Sequence, residues 1–252
     1  MARTKSPNAY DVFQKNMNDA HVLLDYARAL RNVRKNALRS EMRDRLGDAL
    51  RVPKGNRDGL DGLQSDLVFM ILLDKKKMSR SVFEDLGPLL RPAIVAACAA
   101  LESFVADRVI ERVGDALRVT DVPDRLREIP ISVGDWSDIE RNYSRRGWGV
   151  RKKIEDAIRE MSSTSPSKLG QTLSVIGITR WAKKVDEIRK AKSGETVSQL
   201  EKLTQRRNRI AHSADRVGNS TAKITIQEVE EMVSQIKNIA VALDKVFGKH
   251  VI

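Results

Sequence analysis

Residues 94–105 read Ile94-Val95-Ala96-Ala97-Cys98-Ala99-Ala100-Leu101-Glu102-Ser103-Phe104-Val105. Followed outward, Phe83, Leu86, Leu90, Ile94, Ala97, Leu101, Val105, Val109 and Val113 return every three or four residues. That is the period of an α-helix with a buried face. Ala93, Ala96, Ala97, Ala99 and Ala100 leave room for a second helix to come close. The stretch predicts a packed helix that begins near Ser79 or Ser81 and stops at Gly114, kinked or divided at Gly87-Pro88 and Pro92. Cys98 lies within it and reads as buried and inert.

The same period extends through much of the chain. Val12, Phe13, Met17, Ala20, Leu23, Leu24, Ala27 and Leu30 make residues 8–50 helical, with Leu38, Met42, Leu46, Ala49 and Leu50 continuing the apolar face. Arg28, Arg31, Lys35, Arg39 and Arg43 form a basic stripe beside it, suited to a nucleic-acid backbone or to a solvated face. A breaker cluster, Pro53 to Gly59, follows, and then an apolar segment, Leu60 to Leu73, that ends in Asp74-Lys75-Lys76-Lys77. Residues 115–149 read as irregular, with a short helix around Val122–Glu128 and an extended Ile131-Ser132-Val133. Helices are expected over Lys152–Met161 and Ile178–Ala191, then one capped by Thr196 or Ser198, a polar turn over Ser213–Lys223, and a last helix over Ile226–Phe247. The sum is an all-α bundle: a helical N-terminal extension, residues 1–77, and a helical domain, residues 78–252.

Composition agrees. Aromatics are 4% of the chain and charged residues 32%, a balance that favours helix packing over sheets. The formal net charge of +12 suits a polyanion or an anionic surface, although a merely basic protein would show it too. No apolar run reads as long enough to cross a bilayer, and Met1 to Pro7 has no apolar signal region behind it; a cytoplasmic place and no membrane partner are expected. One cysteine rules out an internal disulfide framework. His21, His212 and His250 have no carboxylate at ligand spacing, so neither metal nor cofactor is expected. Nor is there a Gly-rich phosphate loop or a serine-hydrolase elbow.

One hexapeptide carries chemistry: Arg207-Asn208-Arg209-Ile210-Ala211-His212. Leu200, Leu203, Ile210 and Ala214 define an apolar stripe, and Arg207 falls inside it. A charge there needs acceptors, and Glu102 on the other strongly periodic helix is a candidate. His212 lies about 140° around the helix from Arg207 and faces outward, while Asn208, four residues back, shares its face. An outward histidine needs a second surface to enclose a pocket, which two copies of this helix would supply. Histidine can take the proton of an RNA 2′-hydroxyl, and arginine can hold the phosphate, with no metal. The same residues also suit a surface histidine at a helix end and an arginine in a structural salt bridge.

Arg207-Asn208-x-x-Ala211-His212 resembles the R-x4-6-H motif of HEPN domains, and Ile94 to Val105 resembles the alanine-rich helix of their ribonuclease LS-related subgroup. The likeness covers roughly residues 80–250. It implies an all-helical bundle, a homodimer with a composite site at the interface, and a metal-independent endoribonuclease leaving a 2′,3′-cyclic phosphate, of the kind found among toxins and phage-defence effectors. By residue it implies Arg207 and His212 as the motif pair, Asn208 as the polar follower and Glu102 as the subgroup's glutamate, with Arg206 a rival for the arginine role, one residue off the stripe. Where toxins of this kind are neutralised through a tyrosine two residues after the histidine, this chain has Ala214, so an antitoxin or regulatory protein would act otherwise. A non-catalytic module that binds RNA or a protein, or a nucleotide site, fits the same fold.

A second basic stretch, Arg141 to Lys153, interleaves charges and aromatics; Arg145, Arg146, Trp148 and Lys152 are candidates to grip RNA, joined by Arg206 and Arg209 beside the motif. Trp148 could instead dock on the core, and Trp136 and Trp181 read as core or interface residues.

Overall fold

The computed structural model describes residues 8–33, 40–60, 85–218 and 220–250. Among these the chain is helical almost throughout: α1 (Ala9–Val33), α2 (Ser40–Ala49), a 3-10 turn (Lys54–Leu60), α3 (Gly87–Ala116), α4 (Asp124–Arg127), α5 (Val133–Asn142), α6 (Arg146–Met161), α7 (Pro166–Ser174), α8 (Trp181–Arg189), α9 (Glu195–Ser213) and α10 (Ile226–Lys249). A two-strand ribbon, β1 (Arg216–Val217) and β2 (Ser220–Thr221), joins α9 to α10 with Arg216 opposite Thr221. The all-α expectation holds. Lys35, Leu38 and Arg39, most of the apolar segment Leu60–Leu73, the lysines after it, Phe83 and the boundary at residue 77 lie outside the described residues.

α3 is the axis of the bundle. α1, α10, α9, α6 and α7 all pack against it. A helix covered on most sides must be apolar on most sides. Leu90, Ile94, Ala97, Cys98, Leu101, Phe104, Val109 and Val113 are all buried. This corrects the expectation that no apolar run could cross a bilayer: by length and composition α3 could, but 56% of its most apolar window is buried within the bundle. Few aromatics suffice because they are concentrated. Phe104 lies 5.3 Å from Phe13 of α1 and 6.3 Å from Phe247 of α10, ring centre to ring centre, and Tyr10 closes the cluster at 6.0 Å. Burial pushes the Cys98 thiol up to about 12, the nearby Glu102 charge adding to the effect and Arg207 opposing it, so this cysteine is inert.

Helix limits differ from the sequence pattern where packing or a cap outweighs it. α3 begins at Gly87, with Asp85 accepting its backbone N–H at 2.9 Å and Pro88 in the first turn, where a missing N–H costs nothing. Pro92 does not divide it, and Gly114 does not stop it. Val113 and Ala116 are buried on either side of that glycine, which outweighs a helix penalty of about 1 kcal/mol. Ser132, expected in an extended segment, caps α5 reciprocally with Asp135, and Lys153 and Ser132 hold that carboxyl down to about 2. α6 starts six residues earlier than expected, and Gly149 explains how closely it meets α5. A Cβ there would come within 2.8 Å of the Ile139 side chain.

The start of α9 was also misplaced. Its N-cap is Gly194, at φ +82°, and Thr196 is buried inside the first turn. The capping carboxylate comes from another helix: Asp186 of α8 accepts the backbone N–H of Gly194 at 2.8 Å and of Thr196 at 3.0 Å. Arg189 then donates to Thr196 Oγ1 and to Gln199. Burial works against ionising Asp186, but these hydrogen bonds outweigh it and hold the carboxyl below its ordinary value. The stability it contributes is therefore full above the ordinary aspartate pKa and lost as pH falls through the lower folded value. Asp186→Ala should cost about 1–3 kcal/mol at neutral pH, and the wild-type advantage should shrink in acid. Denaturant midpoints measured for both proteins from pH 7 downward would show this; a pH-independent difference would exclude the charge.

Candidate functional site

The end of α9 lies against α3, and the stripe arginine finds its acceptors there. Arg207 Nη2 donates to Glu102 Oε2 at 3.4 Å and Nη1 to Asn208 Oδ1 at 3.1 Å, leaving its side chain 31% exposed. Glu102 has a second task. Its other oxygen accepts the backbone N–H of Thr164 at 3.0 Å, and Thr164 Oγ1 meets Thr204 Oγ1 of α9 at 3.1 Å. The loop between α6 and α7, through its buried Thr164, thus keeps the Glu102 carboxylate aimed at Arg207. The arginine is held but not enclosed, and a guanidinium in that state can still offer donors to a phosphate.

His212 occupies the last turn of α9, exposed and without a hydrogen bond among the described residues. Asn208 is exposed on the same side, four residues back. One residue beyond the histidine the helix ends at Ser213. Ala214 (φ +49°) and Asp215 (φ +59°) are both left-handed, and the Asp215 N–H returns to the Arg209 carbonyl at 3.0 Å. Ala214 is consequently exposed and does not continue the apolar stripe, and Ile210 is only half-buried.

The reversal buries the Asp215 side chain completely, and three arginines converge on it: Arg206 Nη2 at 2.7 Å, Arg209 Nε at 3.1 Å and Arg91 Nε of α3 at 3.3 Å. Arg206 and Arg91 also donate to the carbonyls of Lys223 and Ala222. Arg206, expected off the stripe, is more enclosed than Arg207, 15% against 31% exposed, with its Nε buried and unpartnered among the described residues. The site is therefore a helix end with Arg207 held against Glu102 of α3, His212 toward solvent and a buried acid gathering the neighbouring cations.

The family model for RiboL-PSP-HEPN matches residues 66–249. The chain belongs to that family. No curated protein and no solved structure matches the chain. HEPN membership points to a nuclease or an RNA-binding role, and HEPN domains are often ribonucleases.

The remaining candidates of this HEPN chain lie elsewhere, on α5 and α6. Trp148 is 61% exposed with the Arg145 guanidinium 5.2 Å from its ring centre, so it does not dock on the core. Trp136 is 42% exposed, contrary to a core placement, and carries Arg146 at 5.9 Å; Trp181 is buried as expected. Arg146 is paired with Glu140 at 3.0 Å and Lys152 with Asp156 at 2.8 Å. No hydrogen bond or ion pair among the described residues joins this surface to Arg207 or His212. In the first helix, Arg28 of the basic stripe is engaged by Asp25 and by Glu230 of α10. Sequence reasoning missed Asp215, Arg91 and Thr164. Asp215 did leave a signal, as the single carboxylate between Glu201 and Glu228 in a strongly cationic stretch.

Proposed function

We propose that this HEPN protein is a metal-independent endoribonuclease, acting as a toxin or phage-defence effector. One observation carries the reading: His212 stands exposed, with no side-chain partner among the described residues, on the same helix end that holds Arg207 against Glu102. A neutral His212 takes the proton of the RNA 2′-hydroxyl, whose oxygen then attacks the adjacent phosphorus. Arg207 stabilises the charge that builds on the phosphate oxygens, with Asn208 as a further donor. The bond to the 5′-oxygen breaks, giving a 2′,3′-cyclic phosphate and, once the leaving oxygen takes a proton, a 5′-hydroxyl. Because the two side chains leave the helix about 140° apart, a closed pocket calls for a second copy of the chain, whose histidine could return that proton.

The test is RNA incubated with purified protein in EDTA. Cleavage should continue, the products should carry cyclic phosphate ends, and activity per chain should fall on dilution as the dimer separates. Loss of cleavage in chelator would overturn metal independence. RNA bound but left whole would favour a non-catalytic binding module.

A further inference from the structure

Asp215 poses a question that the proposed chemistry does not answer. Three guanidinium groups around one carboxylate leave an excess of two positive charges at the end of α9. Two of the three arginines are spent. Arg91 and Arg206 are largely enclosed, and each adds a backbone carbonyl to its contact with Asp215. Arg209 differs. Only its Nε is engaged, its side chain is 43% exposed, and its two terminal nitrogens have no hydrogen bond among the described residues.

Arg209 and His212 are three residues apart, so they are neighbours on one helix face. Arg207 is on nearly the opposite side from Arg209, turned toward α3. Within one copy of the chain, and among the described residues, the guanidinium with uncommitted terminal donors beside the histidine is therefore that of Arg209. A bond from its inner nitrogen to a buried acid holds this part-exposed side chain and leaves its two terminal nitrogens, the fork that can grip a phosphate, uncommitted.

We infer that Asp215 is a positioning residue that presents Arg209 beside His212 as a phosphate-binding guanidinium for single-stranded RNA. The inference rests on the ribonuclease reading for its substrate. It adds a second guanidinium to the site and assigns the buried acid that aims it. It also removes Arg206 from the residues that touch RNA, since that side chain is used inside.

The probe is a 2′-O-methyl RNA oligonucleotide, which has no free 2′-hydroxyl and cannot be cut. Arg209→Gln should weaken its binding about tenfold, the loss of a hydrogen bond to a charged group. The slope of log affinity against log salt should fall by about one, as for a lost phosphate contact. Asp215→Asn should weaken binding similarly, and the double substitution should do no further harm. Unchanged affinity and slope in Arg209→Gln, or additive losses, would overturn the inference. If Asp215→Asn loses its helical circular dichroism, the Arg209 side-chain N–H resonance in the wild-type protein decides the matter: slow exchange supports the bond to Asp215, and exchange as fast as free arginine rejects it. The two readings fail separately. Arg209-dependent binding without cleavage of ordinary RNA defeats the nuclease alone; cleavage with a silent Arg209→Gln defeats the Asp215 assignment alone; no RNA binding at all defeats both.

Discussion

Replacing His212 by alanine is expected to lower the rate of RNA cleavage by about 10²–10⁴-fold, the usual contribution of a positioned general acid or base, without changing how the protein melts. The second half of that expectation follows from the structure. His212 is exposed, in the last turn of α9, and its side chain gives up no hydrogen bond to any described residue when removed. Surface changes of that kind rarely move stability by more than about 0.5 kcal/mol. Single-turnover cleavage and a thermal melt on the same preparation measure both. Arg207→Ala is a poorer probe, because it also leaves Glu102 without its ion-pair partner in the α3–α9 contact. A His212→Ala protein that cuts RNA at the wild-type rate would end the ribonuclease assignment.

Phe104→Ala should destabilise the fold by about 3–5 kcal/mol, the range for emptying a large aromatic site in a core. Phe104 is buried where α1, α3 and α10 meet, with Tyr10, Phe13 and Phe247 around its ring. Collapse of the cavity would require three helices to move together. Leu117→Ala, at the exposed end of the same helix region, is the control and should change little. Urea midpoints for the two variants would establish the contrast. A small effect of Phe104→Ala would mean that α1 does not seal the core as described.

Periodicity made the helices legible because the main helices around α3 each bury one face, and the out-of-place Arg207 led to Glu102 because a charge in an apolar stripe has few acceptors within reach. Boundaries were read less well. Gly114 and Thr196 are local signals, and both were overridden: one by burial of its neighbours, the other by a carboxylate from α8. The Ser132–Asp135 capping box was present in the sequence and would have started α5 correctly. Ala214 departs from the expected stripe for a different reason. Helical phase extrapolates a stripe only while the chain stays helical, and two left-handed residues in succession cannot be inferred from alanine and aspartate. Trp136 and Trp148 show the limit of composition, since a tryptophan in a polar stretch does not announce whether its ring faces inward.

α9 is fastened at both ends by buried acids that are not part of its regular turns, Asp186 before it and Asp215 after it. Such a helix can neither fray nor slide along its axis without exposing a carboxylate and stranding several donors. Whatever docks on its outer face, RNA or a second copy, meets an edge that is already ordered. Little conformational entropy remains to be lost on contact, so even a small interface could form there with useful affinity.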